Sequence, residues 1–343
     1  MIRYLGLWAA SPLALAFEAQ IIAADLNHPW SIELTPNYAY VVERDAGIKR
    51  IELESGAITE ITGLPKAIAA GQGGRFDLLL APDYKQTGQV YMALNGGSRT
   101  NMGLELYRGK IRGDTFTDAD QMYRMQGSFG SRHFGGRLVT DGDYVYLSTG
   151  DRGDAERAQD PDDSAGSILR FTLDGQPAGI MPGHPALYSM GHRNVQGLWM
   201  DPDGSLWAHE HGPQGGDELN KIRGGENHGW PLVTYGRNYG LGTRISDFET
   251  KPGYIDPTLQ WTPSIAPAGL IRYTGERFTD WQDKFLVGAL KYQLVSVVSA
   301  DGTAELDRHF AGEFGRIRDL AQDDQGRVYL LTDDGQGRVI RIQ

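Results

Sequence analysis

The sequence predicts an all-β fold, a six-bladed β-propeller formed by one domain. Glycine and proline are abundant, at 46 and 16 of 343 residues, and a strand–turn–strand plan recurs along the chain with no long helical periodicity. Strand-rich units with a common plan are typical of propellers. Because 40% of the residues are hydrophobic, the chain can bury a sizeable core, and this composition excludes a disordered protein.

The amino terminus, MIRYLGLWAASPLALA, has the features of a secretory signal peptide. Arg3 supplies a positive charge, and the apolar run 5–15 overlaps the small-residue pattern Ala-Leu-Ala of a cleavage site. The run is short for a transmembrane helix, and no other segment could span a bilayer. We therefore expect residues 1–16 to be removed and residues 17–343 to form the mature propeller in the periplasm or outside the cell. A buried first strand is the alternative interpretation.

The repeated plan consists of an apolar strand, a turn, a second apolar strand, a polar loop and a third strand. It occurs in residues 30–51, 76–108, 136–173, 196–222, 268–298 and 318–342, with a Pro-, Asp- or Gly-rich turn between the first two strands. Segment 18–24 is predicted to add the strand that closes the ring beside the last unit. The insertions 152–166 and 237–265 are expected to form loops on one face, where propellers build their sites.

Polar residues recur where a first strand begins or a second strand ends. These positions are Gln72, His133, Arg193, Asn194, Lys291, Arg316 and Arg318. In a propeller they converge on the mouth of the central channel, so four strong cations are expected around one cavity in a chain with a net charge of −11. This cluster predicts an anionic ligand with several carboxylates, which arginine pairs bind bidentately. The acidic chain as a whole argues against a nucleic-acid partner.

His133 is the candidate general base in this group, because histidine titrates near neutral pH. Asp151 ends the next strand of the same predicted hairpin, where it can orient and charge-stabilise the imidazole. The alternative is that His133 makes a structural hydrogen bond and that Asp151 is only a turn residue.

The most polar stretch, residues 191–231, contains a predicted hairpin followed by the glycine-rich run HGPQGGDE at 211–218. Backbone carbonyls freed by Gly and Pro, next to a carboxylate, are hard oxygen ligands that suit Ca²⁺. The run lacks the spacing of a helix–loop–helix calcium site. A zinc site at His209 and His211 lacks a third ligand with familiar spacing.

These motifs together resemble the soluble pyrroloquinoline quinone (PQQ) dependent aldose sugar dehydrogenases of the glucose/sorbosone dehydrogenase family. They are GQGG, HFGGRL, GHRNVQGL, EHGPQGGDELN, NHGWP and GRIR, spread over nearly all of the mature chain. The resemblance implies oxidation of aldoses at the anomeric carbon to lactones by PQQ, a tricarboxylate quinone. Electrons would pass to an external acceptor (a quinone, cytochrome or dye). The chain departs from the family pattern at Val195, often proline, and at His228, often tyrosine.

The resemblance also implies a role for each matching residue. His133 would take the proton of the anomeric hydroxyl with support from Asp151, and Arg193 would polarise the reactive carbonyl of PQQ. The implied PQQ ligands are Gln72, Arg193, Asn194, Lys291, Arg316 and Arg318. The carbonyls of Gly212 and Pro213 would bind a Ca²⁺ at PQQ. Glu218 and the backbone of His228 would bind a second, structural Ca²⁺.

Two other functions stay open on the sequence. A propeller lactonase also uses calcium and histidine, but a neutral lactone needs no cationic clamp for carboxylates. A secreted propeller could instead bind a partner without catalysis. We expect a monomer rather than a dimer, and the loops give no readable preference for one sugar.

Overall fold

Six four-stranded antiparallel sheets surround a central channel, which confirms the predicted six-bladed propeller. The computed structural model describes residues 17–343, so the predicted signal peptide at 1–16 lies outside the described residues.

In chain order the strands are β1 (Ala19–Leu26), β2 (Pro29–Leu34), β3 (Tyr38–Glu43), β4 (Ile48–Glu52), β5 (Ile58–Ile61), β6 (Arg75–Leu80), β7 (Gln89–Ser98), β8 (Asn101–Arg112), β9 (Thr115–Arg124), β10 (Gly135–Thr140), β11 (Tyr144–Thr149), β12 (Ser167–Thr172), β13 (Leu187–Met190), β14 (Val195–Met200), β15 (Leu206–Glu210), β16 (Asp217–Ile222), β17 (Leu259–Trp261), β18 (Pro267–Arg272), β19 (Phe285–Ala289), β20 (Leu294–Val298), β21 (Glu305–His309), β22 (Ile317–Gln322), β23 (Val328–Thr332) and β24 (Gly337–Ile342).

Blades 1 to 5 take four consecutive strands each, beginning with β2–β5, and blade 6 combines β22, β23 and β24 with β1. The predicted closure is therefore confirmed: β1 pairs antiparallel with β24, which joins the two ends of the chain. Just before β1, the Phe17 ring stacks on Trp281 of blade 5 with a centroid distance of 4.7 Å. The closing strand is thus held by backbone pairing and by an aromatic contact to the neighbouring blade.

The innermost strand of every blade carries a register shift near its beginning. The shifts lie between the residue pairs Pro29/Ser31, Arg75/Leu78, Gly135/Leu138, Val195/Gly197, Ala268/Leu270 and Ile317/Asp319. A β-bulge bends its strand and redirects the adjacent side chains. Six bulges at the same end of the ring therefore shape one face of the propeller, and the polar positions predicted from the sequence lie at that end.

Arg137, on β10, joins the innermost strands across the channel. Its guanidinium donates hydrogen bonds to the Asp319 carboxylate at 2.8 Å and to the carbonyls of Gln196, Trp30 and Arg318. Four blades therefore meet at one buried cation. A cavity of about 360 Å³ lies beyond it, lined by the far ends of the innermost strands.

The chain deviates from the predicted elements in three places. Blades 1 to 5 each have a fourth strand that the repeat plan did not include, because these outer strands are short or largely exposed. The insertion predicted at 237–265 is not entirely a loop, since it contains β17, the outer strand of blade 4. A single-turn helix α1 (Tyr84–Thr87) and two short 3₁₀ turns, at Ala155–Gln159 and Thr279–Trp281, interrupt the otherwise all-β fold.

Among residues 17–343, none of the helices has the length and apolar character needed to cross a membrane.

Candidate active site

His133 and Asp151 lie side by side at the bulged end of blade 3. His133 precedes β10 and Asp151 follows β11, and the imidazole Nδ1 lies 2.7 Å from a carboxylate oxygen of Asp151. The His133 backbone N–H donates to Gln72 at 2.8 Å, and the Asp151 N–H donates to the Arg193 carbonyl at 2.9 Å. The hairpin therefore brings the predicted base and its partner together, and neighbouring blades hold both.

Trp230 is a third member of this group that the sequence did not reveal. Its indole N–H donates to Asp151 Oδ2 at 2.9 Å, while the Gly153 N–H donates to Oδ1 at 2.7 Å. The Arg193 guanidinium carbon lies 5.4 Å from the centre of the Trp230 ring. Both oxygens of Asp151 thus have fixed donors, which holds the carboxylate in one orientation toward His133.

The electrostatics of the pair favour a neutral imidazole next to an ionised carboxylate. Burial lowers the pKa of His133 below its ordinary value, with further lowering by Arg193 and Arg132, against the opposing effect of Asp151. Burial alone would raise the pKa of Asp151, but the hydrogen bond and charge of His133, with smaller contributions from Gly153 and Arg193, bring it below its ordinary value. With Nδ1–H directed at Asp151, Nε2 of a neutral His133 is available to accept a proton.

A cavity of about 220 Å³ opens at the same face, between blades 1 to 6. It is lined by the predicted residues Gln72, Asn194, Arg316 and Arg318, together with Gln196, His211, Arg44, Asp333 and the apolar side chains of Trp30, Phe76, Phe134, Ala266 and Leu290. Three arginines therefore face one cavity, with Asp333 as the carboxylate among its lining residues. The predicted cationic cavity is present, with a different membership.

Arg318 is the most deeply buried cation of this cavity. Its Nε is buried without a hydrogen-bond partner among the described residues, and Nη1 makes a 3.3 Å bond to Gln196 Oε1. Burial lowers its pKa to about 10. A guanidinium that lines a cavity and donates one hydrogen bond among the described residues is suited to an anionic ligand that accepts from its other N–H groups.

Arg44 and Asp333 were missed by the sequence analysis. Each follows the second strand of its blade, as Asp151 does. The search for polar residues at the ends of second strands could therefore have identified both. Arg316 donates to Asp333 at 3.2 Å, and Arg44 pairs with its neighbour Asp45 at 2.7 Å. These carboxylates hold the two more exposed arginines at the rim of the cavity.

The structure does not bring two of the predicted cations into the lining of this cavity. Lys291 is exposed because it lies in the turn after β19, with its ammonium 5.2 Å from the Tyr292 ring, whereas the preceding residue Leu290 lines the cavity. Arg193 is buried but donates to the carbonyls of His211 and Gly212 at 2.9 and 3.0 Å. Its guanidinium therefore contacts residues 211–218, the predicted metal loop, directly.

The loop after β15 is folded around Asp217. This carboxylate accepts hydrogen bonds from the N–H groups of Gly212 at 2.9 Å and Ala266 at 2.8 Å, and burial raises its pKa to about 6. No group of three or more histidine, aspartate or glutamate side chains in residues 17–343 is arranged to hold a metal. A metal at Gly212 and Pro213 would therefore depend on backbone carbonyls and on a bound ligand.

Glu218 and His228 line a small space next to this loop, together with Glu210 and Arg193. Burial, and then the negative charge of Glu210, raise the pKa of Glu218 well above its ordinary value. Glu210 itself accepts hydrogen bonds from the Arg193 N–H and from Nδ1 of His192. A buried carboxylate under this repulsion is stabilised by a neighbouring cation.

Comparison with known proteins agrees with this geometry. The model of the glucose/sorbosone dehydrogenase family matches residues 26–341, almost the whole described chain. The chain belongs to the glucose/sorbosone dehydrogenase family. The resemblance seen in the sequence is thereby confirmed, and this family member is an oxidoreductase that acts on sugars.

Three matches to this chain are informative. The aldose sugar dehydrogenase YliI of Escherichia coli is 32% identical over 355 residues, covering 98% of this chain and 95% of that protein. The crystal structure of the soluble aldose sugar dehydrogenase from Escherichia coli in its apo-form superposes with a TM-score of 0.91 at 31% identity, covering 96% and 99% of the two chains. The PQQ-bound aldose sugar dehydrogenase from Streptomyces coelicolor superposes with a TM-score of 0.78 at 28% identity, covering 96% and 99%.

The role of Trp230 in this dehydrogenase can be tested through stability. Trp230→Phe removes the N–H that Asp151 accepts, and losing a hydrogen bond to a buried charge costs on the order of 1.5–3 kcal/mol. We therefore expect the free energy of unfolding to fall by about that amount beyond the effect of ring size, as measured by urea denaturation. Trp261→Phe is the matched control, because Trp261 is also buried and its N–H has no partner among the described residues. Equal losses in the two variants would contradict the role of the hydrogen bond.

Proposed function

We propose that this dehydrogenase oxidises aldoses at the anomeric carbon to lactones, with PQQ as its cofactor and Ca²⁺ beside the cofactor. The observation that carries the proposal is the cavity with three arginines, in which the Arg318 guanidinium donates one hydrogen bond among the described residues, next to the His133–Asp151 pair. A tricarboxylate supplies the acceptors that such donors need. The PQQ-bound relative from Streptomyces coelicolor supports the same cofactor.

The chain's own residues have distinct tasks in this proposal. When bound, PQQ would supply an acceptor for the hydride of the anomeric carbon. Arg316, Arg318 and Arg44 would hold its carboxylates, and Gln72 and Asn194 lie at the same cavity to add polar contacts. His133 Nε2 would take the anomeric hydroxyl proton, and Asp151 would stabilise the resulting imidazolium. Loss of the hydroxyl proton to His133 and of the hydride from the anomeric carbon would convert the sugar into its lactone.

Arg193 lies close to both the predicted metal loop and His133. It contacts the metal loop in the structure, and it lies close enough to lower the pKa of His133. A Ca²⁺ bound by the carbonyls of Gly212 and Pro213 would compete with this guanidinium for the Gly212 carbonyl. Arg193 would then be free to turn toward the cofactor, which is the role that the family resemblance implies.

Reconstitution of the purified apoprotein with PQQ and Ca²⁺ tests this function. We expect dye reduction with a panel of aldoses and release of the lactone, identified by NMR, with no turnover when either component is left out. Hydrolysis of added lactones without PQQ would instead support the lactonase. Binding of PQQ without oxidation of any aldose would contradict the proposed reaction.

A second part of the proposal is a structural Ca²⁺ at Glu218 and the His228 carbonyl. Saturating Ca²⁺ is expected to raise the melting temperature of the apoprotein, since a ligand present at 100 times its Kd adds about 2.7 kcal/mol of stability. Glu218→Ala should abolish this increment, as measured by calorimetry with and without a chelator. Glu249→Ala, which removes an exposed carboxylate of the insertion in blade 4, is the control. An unchanged calcium response in Glu218→Ala would exclude this site.

We also propose that the protein is exported, acts as a monomer and transfers electrons to a quinone, cytochrome or dye. Phe17 and β1 are integrated into the ring, so cleavage after residue 16 would leave the closing strand complete. Mass spectrometry of the exported protein should find Phe17 as the first residue, and an intact amino terminus would contradict this cleavage. Light scattering of the purified protein tests the monomer.

A further inference from the structure

Arg152 directly follows Asp151 and is buried, with an exposed fraction of 3%. It was not among the residues predicted for the site, and it does not line the arginine cavity. Its guanidinium carbon lies 3.4 Å from the centre of the Phe134 ring, an arrangement in which the aromatic face attracts the cation. A charged side chain buried next to the proposed base requires an explanation.

The contacts of Arg152 surround His133 on both sides along the chain. The guanidinium donates to the Arg132 carbonyl at 2.5 Å and to the Gly130 carbonyl, and the backbone N–H of Arg152 donates to the His133 carbonyl at 3.2 Å. Together with the Phe134 ring, these contacts involve main chain before His133, His133 itself and the side chain after it. One side chain and its own backbone therefore hold the segment 130–134.

Segment 130–134 needs such support because its backbone adopts an unfavourable conformation at His133. His133 has φ of 53° and Arg152 has φ of 59°, in the left-handed region that residues other than glycine seldom adopt. Conformations of this kind persist only when the surrounding structure enforces them. The planar guanidinium, with several donors in a fixed arrangement, is suited to bind two carbonyls while stacking on a ring.

We propose that Arg152 is a positioning residue for the general base: it holds segment 130–134 so that the His133 imidazole keeps its orientation between Asp151 and the sugar. This inference rests on the assignment of His133 as the base in the proposed function. Arg152 touches neither the cofactor cavity nor the reacting atoms, so it acts only through His133. A role in stability alone is the competing explanation.

The two explanations differ in their effect on His133. Asp151, Arg193 and Arg132 are the charged groups that act on the imidazole, and burial is the largest effect that keeps its pKa low. If segment 130–134 is released, the imidazole gains solvent, and its pKa should rise toward the ordinary histidine value of 6.5. A residue that only adds stability would leave this pKa unchanged in the folded protein.

The test compares Arg152→Met and Arg152→Lys with Arg157→Met. Arg157 lies in the same insertion and is paired with Asp163 at 2.7 Å, so Arg157→Met removes an arginine of this insertion without removing a described contact to segment 130–134. The first measurement is the NMR titration of the His133 imidazole in the apoprotein, assigned with His133→Ala. The second is the pH profile of kcat/KM after reconstitution with PQQ and Ca²⁺.

We expect Arg152→Met to raise the pKa of His133 and to move the acidic limb of the kcat/KM profile to higher pH. We also expect kcat to fall by about 10²-fold, the effect of displacing a catalytic group by about 1 Å. Arg152→Lys should change the pKa, the pH profile and kcat less, because an ammonium can still donate to the two carbonyls. An unchanged pKa in Arg152→Met, or an equal shift in Arg157→Met, would overturn the proposal. If Arg152→Met does not fold, an unshifted pKa in Arg152→Lys overturns it. The apoprotein titration needs no cofactor, so failure of the proposed function would appear separately, as wild-type protein without turnover.

Discussion

Replacing His133 with alanine is expected to lower kcat by about 10²- to 10⁴-fold, the usual cost of losing a general base. PQQ should still bind, because the proposed clamp is formed by other residues, Arg44, Arg316 and Arg318. The measurements are steady-state dye reduction at saturating PQQ and titration of PQQ into the apoprotein, followed by the quinone absorption. In the wild type, the acidic limb of kcat/KM should lie below the ordinary histidine value of 6.5, because burial lowers the pKa of His133 and protonation removes the base.

His184→Ala is the control for this variant. His184 is half-buried in blade 3, where it packs on Tyr123, and it takes no part in the cavity or in the Asp151 cluster. We expect its turnover to match the wild type. Near-normal turnover in His133→Ala would remove His133 as the base and would reopen the question of which group takes the proton.

Replacing Arg318 with methionine is expected to weaken PQQ binding by about tenfold to a hundredfold. A charge-assisted hydrogen bond contributes on the order of 1.5–3 kcal/mol, and each 1.4 kcal/mol changes the dissociation constant tenfold. Replacement of Arg318 should weaken PQQ binding more than replacement of the other two cavity arginines, because Arg318 is the most buried. Arg316 forms an ion pair with Asp333, and Arg44 forms one with Asp45. Excess PQQ should restore kcat in Arg318→Met, in contrast to His133→Ala.

Lys284→Met serves as the charge-matched control. Lys284 lies on the surface of blade 5, where its ammonium contacts the Asp280 carbonyl, and it is distant from the cavity lining. The same titration should give the wild-type dissociation constant. An Arg318→Met protein that binds PQQ as tightly as this control would show that the cofactor is held elsewhere.

The propeller ring and the contact between His133 and Asp151 could be predicted from the sequence, because both follow from local patterns. Each blade begins with a two-strand hairpin whose turn is marked by Asp, Gly or Pro, and β14 and β15 show this with the Asp201 N–H bonded to the Ser205 carbonyl at 2.9 Å. His133 and Asp151 flank one such hairpin. Their proximity therefore required only that the hairpin form.

The composition of the cavity could be predicted only in part, because it depends on contacts between blades. Arg44 and Asp333 are distant in the chain and meet only after the ring closes through β1 and β24. Trp230 reaches Asp151 from the insertion after β16, a loop without periodic pattern. Lys291 was placed in the cavity by its position at a strand end, but it lies in the exposed turn after β19, and Leu290 lines the cavity instead.

The central claim is that the arginine cavity holds PQQ where the His133–Asp151 pair can act on an aldose. Anaerobic mixing of the PQQ- and Ca²⁺-loaded protein with one aldose, without an electron acceptor, tests this claim most directly. One equivalent of lactone is expected to form for each bound PQQ, with loss of the absorption of the oxidised quinone, and deuterium at the anomeric carbon should slow this change. An apoprotein that binds no PQQ in calcium buffer, or bound PQQ that stays oxidised with every aldose tested, would contradict the proposed function.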